Sequence, residues 1–212
     1  MVPAEYQGLW RRSGIWRSNG SSDLSTQVWW FQAARYHIDL RIPVDRIGIN
    51  GFAGETVVEG ARCTWHPAIA YPALSDELDA GWMRFDDADH VHETGLDNSY
   101  DEDWYREPSG PMHGVRLAAM QSEQLGYLLI SDEWMAWACG SPSGACDITV
   151  YRREQQQWTA IASNLPAPAH AVTLGKEQVL QWQAGDLVEV AMTPGTRYQV
   201  ADDAEPHSSS TP

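Results

Sequence analysis

Residues 28–42 read VWWFQAARYHIDLRI, and from position 36 the run alternates. Tyr36, Ile38, Leu40 and Ile42 fall on one side, while Arg35, His37, Asp39 and Arg41 fall on the other. A period of two is the signature of a β-strand with two chemically distinct faces, because successive side chains of an extended chain point in opposite directions. The polar face carries an imidazole, a carboxylate and two guanidiniums. Antiparallel sheets ordinarily turn such a face to water and the apolar one to the core. A wide barrel can invert that arrangement and place the polar column in its lumen. In that case His37 is a candidate general acid/base, Asp39 its orienting carboxylate and Arg41 an anion-binding group.

The rest of the chain repeats the theme. Short stretches rich in tryptophan, tyrosine, isoleucine and valine (8–16, 28–42, 61–71, 82–85, 90–93, 115–120, 126–130, 134–139, 148–152, 158–163 and 187–192) are separated by turn-forming pieces. The turn pieces are SNGSSD at 18–23, VDRIGINGFAGE at 44–55, REPSGPMHG at 106–114, GSPSGA at 140–145 and NLPAPAH at 164–170. This spacing predicts an antiparallel all-β protein with little helix. One helical turn is expected at 75–78, and a short helix or a further strand at 175–182. Residues 201–212, with their Ser-Ser-Ser run, are expected to form a disordered tail.

The proline- and glycine-rich stretch 106–114 is the best internal boundary. It divides the chain into 1–108 and 109–200, each with enough strands for a small closed or nearly closed barrel. A single sandwich or one larger barrel is the competing arrangement.

Composition narrows the functional classes. The formal charge of −15 argues against nucleic acid, whose phosphates demand basic patches, and against anionic membranes. Lys176 is the only lysine, a bias that genomic composition explains without any arginine-specific role. No apolar run reaches the ~18 residues of a membrane span, and the start, MVPAEYQGLW, lacks the basic and apolar regions of a signal peptide. A cytoplasmic location follows as an expectation. There the three cysteines, including Cys139 and Cys146 across a turn, are expected to stay reduced. GxSxG, HExxH, GxGxxG and phosphate-loop patterns are missing from the sequence, as is a CxxC pair. The hydrolase, kinase and dehydrogenase classes lose ground accordingly. No cofactor is expected.

Several segments resemble the Hri family, known from a fungal protein and from bacterial proteins of uncertain role. They are RSGIW at 12–16, TQVWWFQAARYHIDLRIP at 26–43, GFAGE at 51–55, CTWHPAIAY at 63–71, the Asp79-Ala80-Gly81 turn and ETGLDNSYDEDW at 93–104. GYLLISDEWMAWACG at 126–140 and CDITVYRREQQQWTAIASNLP at 146–166 complete the set. The resemblance implies two calycin-like, that is lipocalin-like, β-barrels in tandem. It brings no established reaction and no catalytic residues. PAPAH at 166–170 departs from the family's more polar and aromatic segment.

Other candidates compete with plainer readings. In Asp89-His90-Val91-His92-Glu93 two imidazoles share one side of a strand, so His90 and His92 could ligate one metal with a third ligand from His66, Asp86 or His113. A solvated acidic strand edge explains the same pattern, and Glu93 before Gly95 reads as a strand ending in a turn. In Trp65-His66-Pro67 the proline requires an edge or a bulge, which can re-aim His66 into a pocket or leave it on the surface. Eleven tryptophans can plug barrel interiors or line a ligand cavity.

The leading expectation is a first barrel that binds a small apolar or aromatic molecule, one that could carry an acid. Trp30, Trp65 and Trp82 would supply contact surface, and Arg41 or Arg84 would pair with the anion. The alternatives are a cofactor-free lyase, hydratase or isomerase using His37 or His66, and a ligand-free protein-interaction scaffold. A homodimer is left open.

Overall fold

The structure is a computed structural model that describes residues 1–166, 168 and 171–201. The expected tail from residue 202 onward, and most of the PAPAH segment, lie outside the described residues.

Nine strands form the first sheet: β1 (Gly8–Arg17), β2 (Ser22–Asp23), β3 (Gln27–Gln32), β4 (Tyr36–Ile42), β5 (Asn50–Glu59), β6 (Arg62–Tyr71), β7 (Asp79–Phe85), β8 (His90–Gly95) and β9 (Tyr100–Glu107). Each pairs antiparallel with its neighbour, and β1 also pairs with β9 from Leu9↔Glu107 to Arg17↔Tyr100. The eight long strands therefore close into a barrel, with the two-residue β2 hanging on β1. Closure gives each long strand a neighbour on both sides, though β6 pairs with β7 only from Arg62 to Trp65.

The second sheet holds β10 (His113–Ala119), β11 (Leu125–Ile130), β12 (Trp134–Gly140), β13 (Asp147–Glu154), β14 (Gln157–Ser163), β15 (Ala171–Val172), β16 (Leu187–Glu189) and β17 (Arg197–Val200). Its order, β15-β14-β13-β12-β11-β10-β17-β16, does not return on itself. The protein is thus all-β, with one closed barrel and one half-barrel. A short helix, α1 (Lys176–Leu180), and the segment around it explain why the second sheet stays open. Leu174, Val179, Trp182 and Val190 fill its concave face against Leu117, Leu128, Met135, Trp137, Tyr151 and Tyr198.

The other face of the half-barrel packs on the outside of the closed barrel. Tyr127, Leu129, Trp134, Ala136, Ala138, Ile148 and Val150 meet Leu9, Trp29, Phe31, Tyr36, Ile38, Leu40 and Ile69 in one continuous core. Tyr36 meets Tyr127 edge to face at 5.7 Å, and Trp29 meets Trp134 at the same separation. Strands β11 and β12 are consequently apolar on both faces, and every residue of β12 is buried.

One local reading changes. Residues 75–78 form no helical turn but bends within a loop that spans 72–78; with Pro72, Ala73 and Leu74 before it and β7 directly after it, this stretch has no room for a nucleus and a cap. Cys139 and Cys146 are both buried free thiols on opposite faces of the half-barrel. Cys139 lies in the concave core beside the Tyr198 hydroxyl, at 3.3 Å, and Cys146 in the core between the sheets. Pro67 sits at a bulge where β6 carries an extra residue against β5. A Cβ at Gly54, opposite it, would collide with the His66 carbonyl, so only glycine fits there. Among the described residues no helix is long and apolar enough to cross a membrane.

Candidate functional site: a charged, tryptophan-floored barrel lumen

Because the outer side of β4 is claimed by the half-barrel, its polar side faces inward. His37, Asp39 and Arg41 point into the lumen, and water does not bathe them as an antiparallel sheet would ordinarily arrange. His37 and Asp39 are buried, and Arg41 is half-buried. Cross-strand register carries the same parity around the barrel. Trp30 stands opposite Asp39, Asp39 opposite Phe52, Met83 opposite Glu93, and Glu93 opposite Glu102.

One end of the lumen is stoppered. The N-terminal turn Ala4–Tyr6 places Tyr6 edge-on against Phe85 at 4.8 Å, and the Trp10 indole N–H donates to the Tyr6 carbonyl at 2.7 Å. Arg106 lies over the Trp10 ring at 4.3 Å and donates to the carbonyls of Glu5 and Gln7. Above the stopper Trp30 is the hub of an aromatic floor. It stacks on Trp10 at 6.0 Å and meets Trp65 and Trp104 edge to face at 5.4 and 5.6 Å.

The opposite end opens into a cavity of about 830 Å³ lined by Trp30, Phe52, Trp65 and Trp104 and by a ring of ionisable groups. That volume suits a drug-sized molecule. In the ring, Arg41 Nε donates to Asp39 Oδ1 at 2.7 Å and its Nη2 lies 3.5 Å from Asp79. Arg12 Nη1 donates to Glu102 Oε1 at 2.5 Å. Glu93 accepts from the Tyr100 hydroxyl at 2.8 Å and from the Trp104 indole N–H at 3.1 Å.

Burial, with Glu102 and Asp79 nearby, raises the Glu93 carboxyl well above the ordinary range. Burial also raises Glu102 and Asp39, against the pull of the arginine beside each. The guanidinium of Arg41 is held more firmly protonated by Asp39, Asp79 and Glu102, which outweigh its own burial.

His37 faces inward but lies below the cavity floor, fully buried, with its ring against Phe52 at 5.4 Å. The Thr56 hydroxyl donates to Gln32 Oε1 at 2.8 Å, so its oxygen is left to accept from His37 Nδ1–H at 3.0 Å. The remaining ring nitrogen, Nε2, has no partner. Asp39 therefore does not orient His37, because it is engaged by Arg41. Burial, helped by the charges of His66 and Arg41, pushes the His37 imidazole down to about 3.

An unfolded chain protonates this histidine near pH 6.5, whereas the folded chain keeps it neutral until about 3. The stability it contributes is complete above pH 6.5 and is lost as the pH falls towards 3. Between pH 7.5 and 5.0 the wild type should lose about 2 kcal/mol more in urea unfolding than His37→Gln. The raised carboxyls act in the opposite direction, and cancel when the two proteins are compared. Equal pH slopes in the two would show that His37 is not sealed from water.

Three expected site residues lie outside the lumen, and parity is the reason. Gly81, Met83 and Phe85 share the inner side of β7, so Trp82 and Arg84 point outward. Trp82 is 47% exposed and Arg84 pairs with Asp86 at 2.5 Å. Trp65 points inward, so His66 is exposed on the outer wall; the bulge at Pro67 does not turn it round. The general acid/base role given to His37 or His66 thus has no histidine at the cavity.

His90 and His92 are also on the outer wall. His92 Nδ1 lies 2.9 Å and His90 Nε2 3.3 Å from Asp103 Oδ1, and His90 stacks on Tyr105 at 4.4 Å. Among the described residues no group of three or more histidines, cysteines or carboxylates is placed to hold a metal ion.

Sequence reasoning missed Arg12, Asp79, Glu93, Tyr100 and Glu102. A signal existed in the alternation of 90–95, which sets Val91 and Glu93 against His90 and His92, and in Tyr100, Glu102 and Trp104 at every second position. The reading of Glu93 before Gly95 as the close of a strand fits β8, which ends at Gly95, but gives no direction for the carboxyl.

No protein-family model matches the chain, and no curated protein matches it. Among solved structures it is similar to an uncharacterized protein of Saccharomyces cerevisiae, YLR301w. The TM-score is 0.64 at 13% identity, over 91% of this chain and 96% of that one. It is also similar to a lipocalin-like protein from Bacteroides uniformis, with a TM-score of 0.39 at 11% identity over 49% of this chain and 100% of that one. The likeness to the yeast protein is one of fold.

Proposed function

We propose that the closed barrel is a binding vessel for a small molecule with a flat apolar or aromatic body. The observation that carries this reading is the open-ended cavity of about 830 Å³, walled by paired charges over a tryptophan floor. A barrel that serves only as a scaffold fills its interior with side chains, as the concave face of the half-barrel does. Trp65 and Trp104 would cover the faces of the ligand and Phe52 its edge. The ion pairs at the wall would fix its orientation. Trp82, Arg84 and His66 have no part in this site.

The segments that resemble the Hri family run through both sheets, and membership of that family is part of the proposal. So is a cytoplasmic location, which suits three buried free thiols.

The test is a titration with N-phenyl-1-naphthylamine, a neutral flat fluorophore. Its emission should rise and saturate at one probe per chain. Phe52→Ala should weaken binding about ten-fold through lost apolar contact, while Trp82→Phe, on the outer wall, should leave it unchanged. A linear, non-saturating rise, or one indifferent to Phe52, overturns the reading.

A further inference from the structure

The lumen carries more acid than base, and its bases are already engaged. Three arginines line the cavity against seven acidic residues. Arg12 is held by Glu102, with Asp23 4.0 Å away, and Arg41 by Asp39 and Asp79. Arg17 lies on the exposed rim. An anionic ligand would have to displace a carboxylate from one of these pairs and would leave that carboxylate buried without a partner. The two inner carboxyls on β8 and β9, Glu93 and Glu102, stand directly across from each other. Only Glu102 has a guanidinium. Glu93 is met by two neutral donors, the Tyr100 hydroxyl and the Trp104 indole.

We infer that the ligand carries a positively charged nitrogen, an amine or amidine attached to an aromatic body, and that Glu93 is its counter-ion with Glu102 beside it. This deepens the binding reading above and rests on it. The aromatic floor favours the same class, since a cation over tryptophan faces is attracted by the ring quadrupole. An acidic ligand, the expectation drawn from Arg41 and Arg84, fits poorly, because Arg84 is outside the barrel and Arg41 is saturated.

Glu93 is faced by Tyr100 and Glu102 of β9, Asp79 of β7, Cys63 of β6 and Arg41 of β4, and Glu102 in turn by Arg12 of β1 and by Asp39 and Arg41 of β4. Burial and the neighbouring acids favour the protonated form of the Glu93 carboxyl. A bound ammonium retains its own protons and favours the carboxylate instead, so a proton held by Glu93 leaves to solvent. Binding is therefore coupled to the release of up to one proton.

The experiment is calorimetry at pH 7 with three probes of one shape: tryptamine, indole and indole-3-acetate. Tryptamine should bind at least ten-fold more tightly than either of the others. Its heat should vary with the ionisation enthalpy of the buffer, in the sense of proton release. Glu93→Gln should bring tryptamine down to the affinity of indole, leave indole itself unchanged and abolish the buffer dependence. Should that variant unfold, the order of the three probes on the wild type decides the matter. Indole or indole-3-acetate binding as well as tryptamine, while N-phenyl-1-naphthylamine still saturates, overturns the cationic assignment alone. Failure of all three probes and of the naphthylamine overturns the binding site itself.

Discussion

Ile38→Asp is expected to abolish the folded protein. Ile38 is fully buried on the outer side of β4, the side that a free-standing barrel would show to water and that here lies against the half-barrel. A carboxylate there has no basic partner supplied by the core around it. Either the charge is buried, or the group is neutralised at a cost that still amounts to several kcal/mol. Domains of this size have only about 5–15 kcal/mol of stability in total. Soluble yield should collapse, and any soluble fraction should lack a cooperative urea transition.

The control is Val57→Asp, on β5 of the same barrel. Val57 is 45% exposed, and its replacement should change stability by no more than about 0.5 kcal/mol. A well-folded Ile38→Asp would mean that the two sheets do not share a core.

The second large effect is expected at Trp30. Its ring is fully buried and touches Trp10, Trp65 and Trp104, while its N–H donates to Gln32 Oε1 at 3.2 Å. Trp30→Ala removes the hub of the floor and one of the donors that orient Gln32, which in turn orients Thr56 and His37. Truncations of large buried aromatics cost about 3–5 kcal/mol. The loss should appear in full in urea unfolding, together with the loss of saturable naphthylamine binding. Trp82→Ala, the same deletion on the outer wall, should cost less than about 1 kcal/mol. A loss at Trp30 as small as that at Trp82 would mean the floor is loosely packed and the cavity collapses without penalty.

The two substitutions lie on neighbouring strands and test opposite faces of one wall. The alternation from Tyr36 to Ile42 was legible in the sequence. So was the division of the chain's chemistry into apolar and polar columns. Which column faces the lumen was not, because the usual rule assumes that one face of a sheet meets water, and β4 has no such face. The apolar column is covered by a sheet that begins about seventy residues later in the chain. Nothing local to 36–42 records that distant partner.

The same limit explains the other misplacements. Trp82 and Arg84 have the right chemistry for a pocket, but their parity is set by the pairing of Met83 with Glu93 across to β8. Glu93 before Gly95 does close a strand in a turn, since β8 ends at Gly95, but the side to which that strand turns the carboxyl is set by its pairing with β7 and β9. Cys139 and Cys146 are close in sequence and lie on opposite faces of one sheet, a separation that only the packing on each side reveals.

Strand identity, the antiparallel order and the scarcity of helix are properties of neighbouring residues: a period of two, β-branched and aromatic runs, and turn residues between them. Those the sequence alone determined. Closure of one barrel and not the other, the burial of an arginine–carboxylate ring in a lumen and the exile of two expected ligand residues to the outer wall depended on long-range pairing. There the tertiary structure decided, because a side chain's charge state and its reach are set by what packs behind it from elsewhere in the chain.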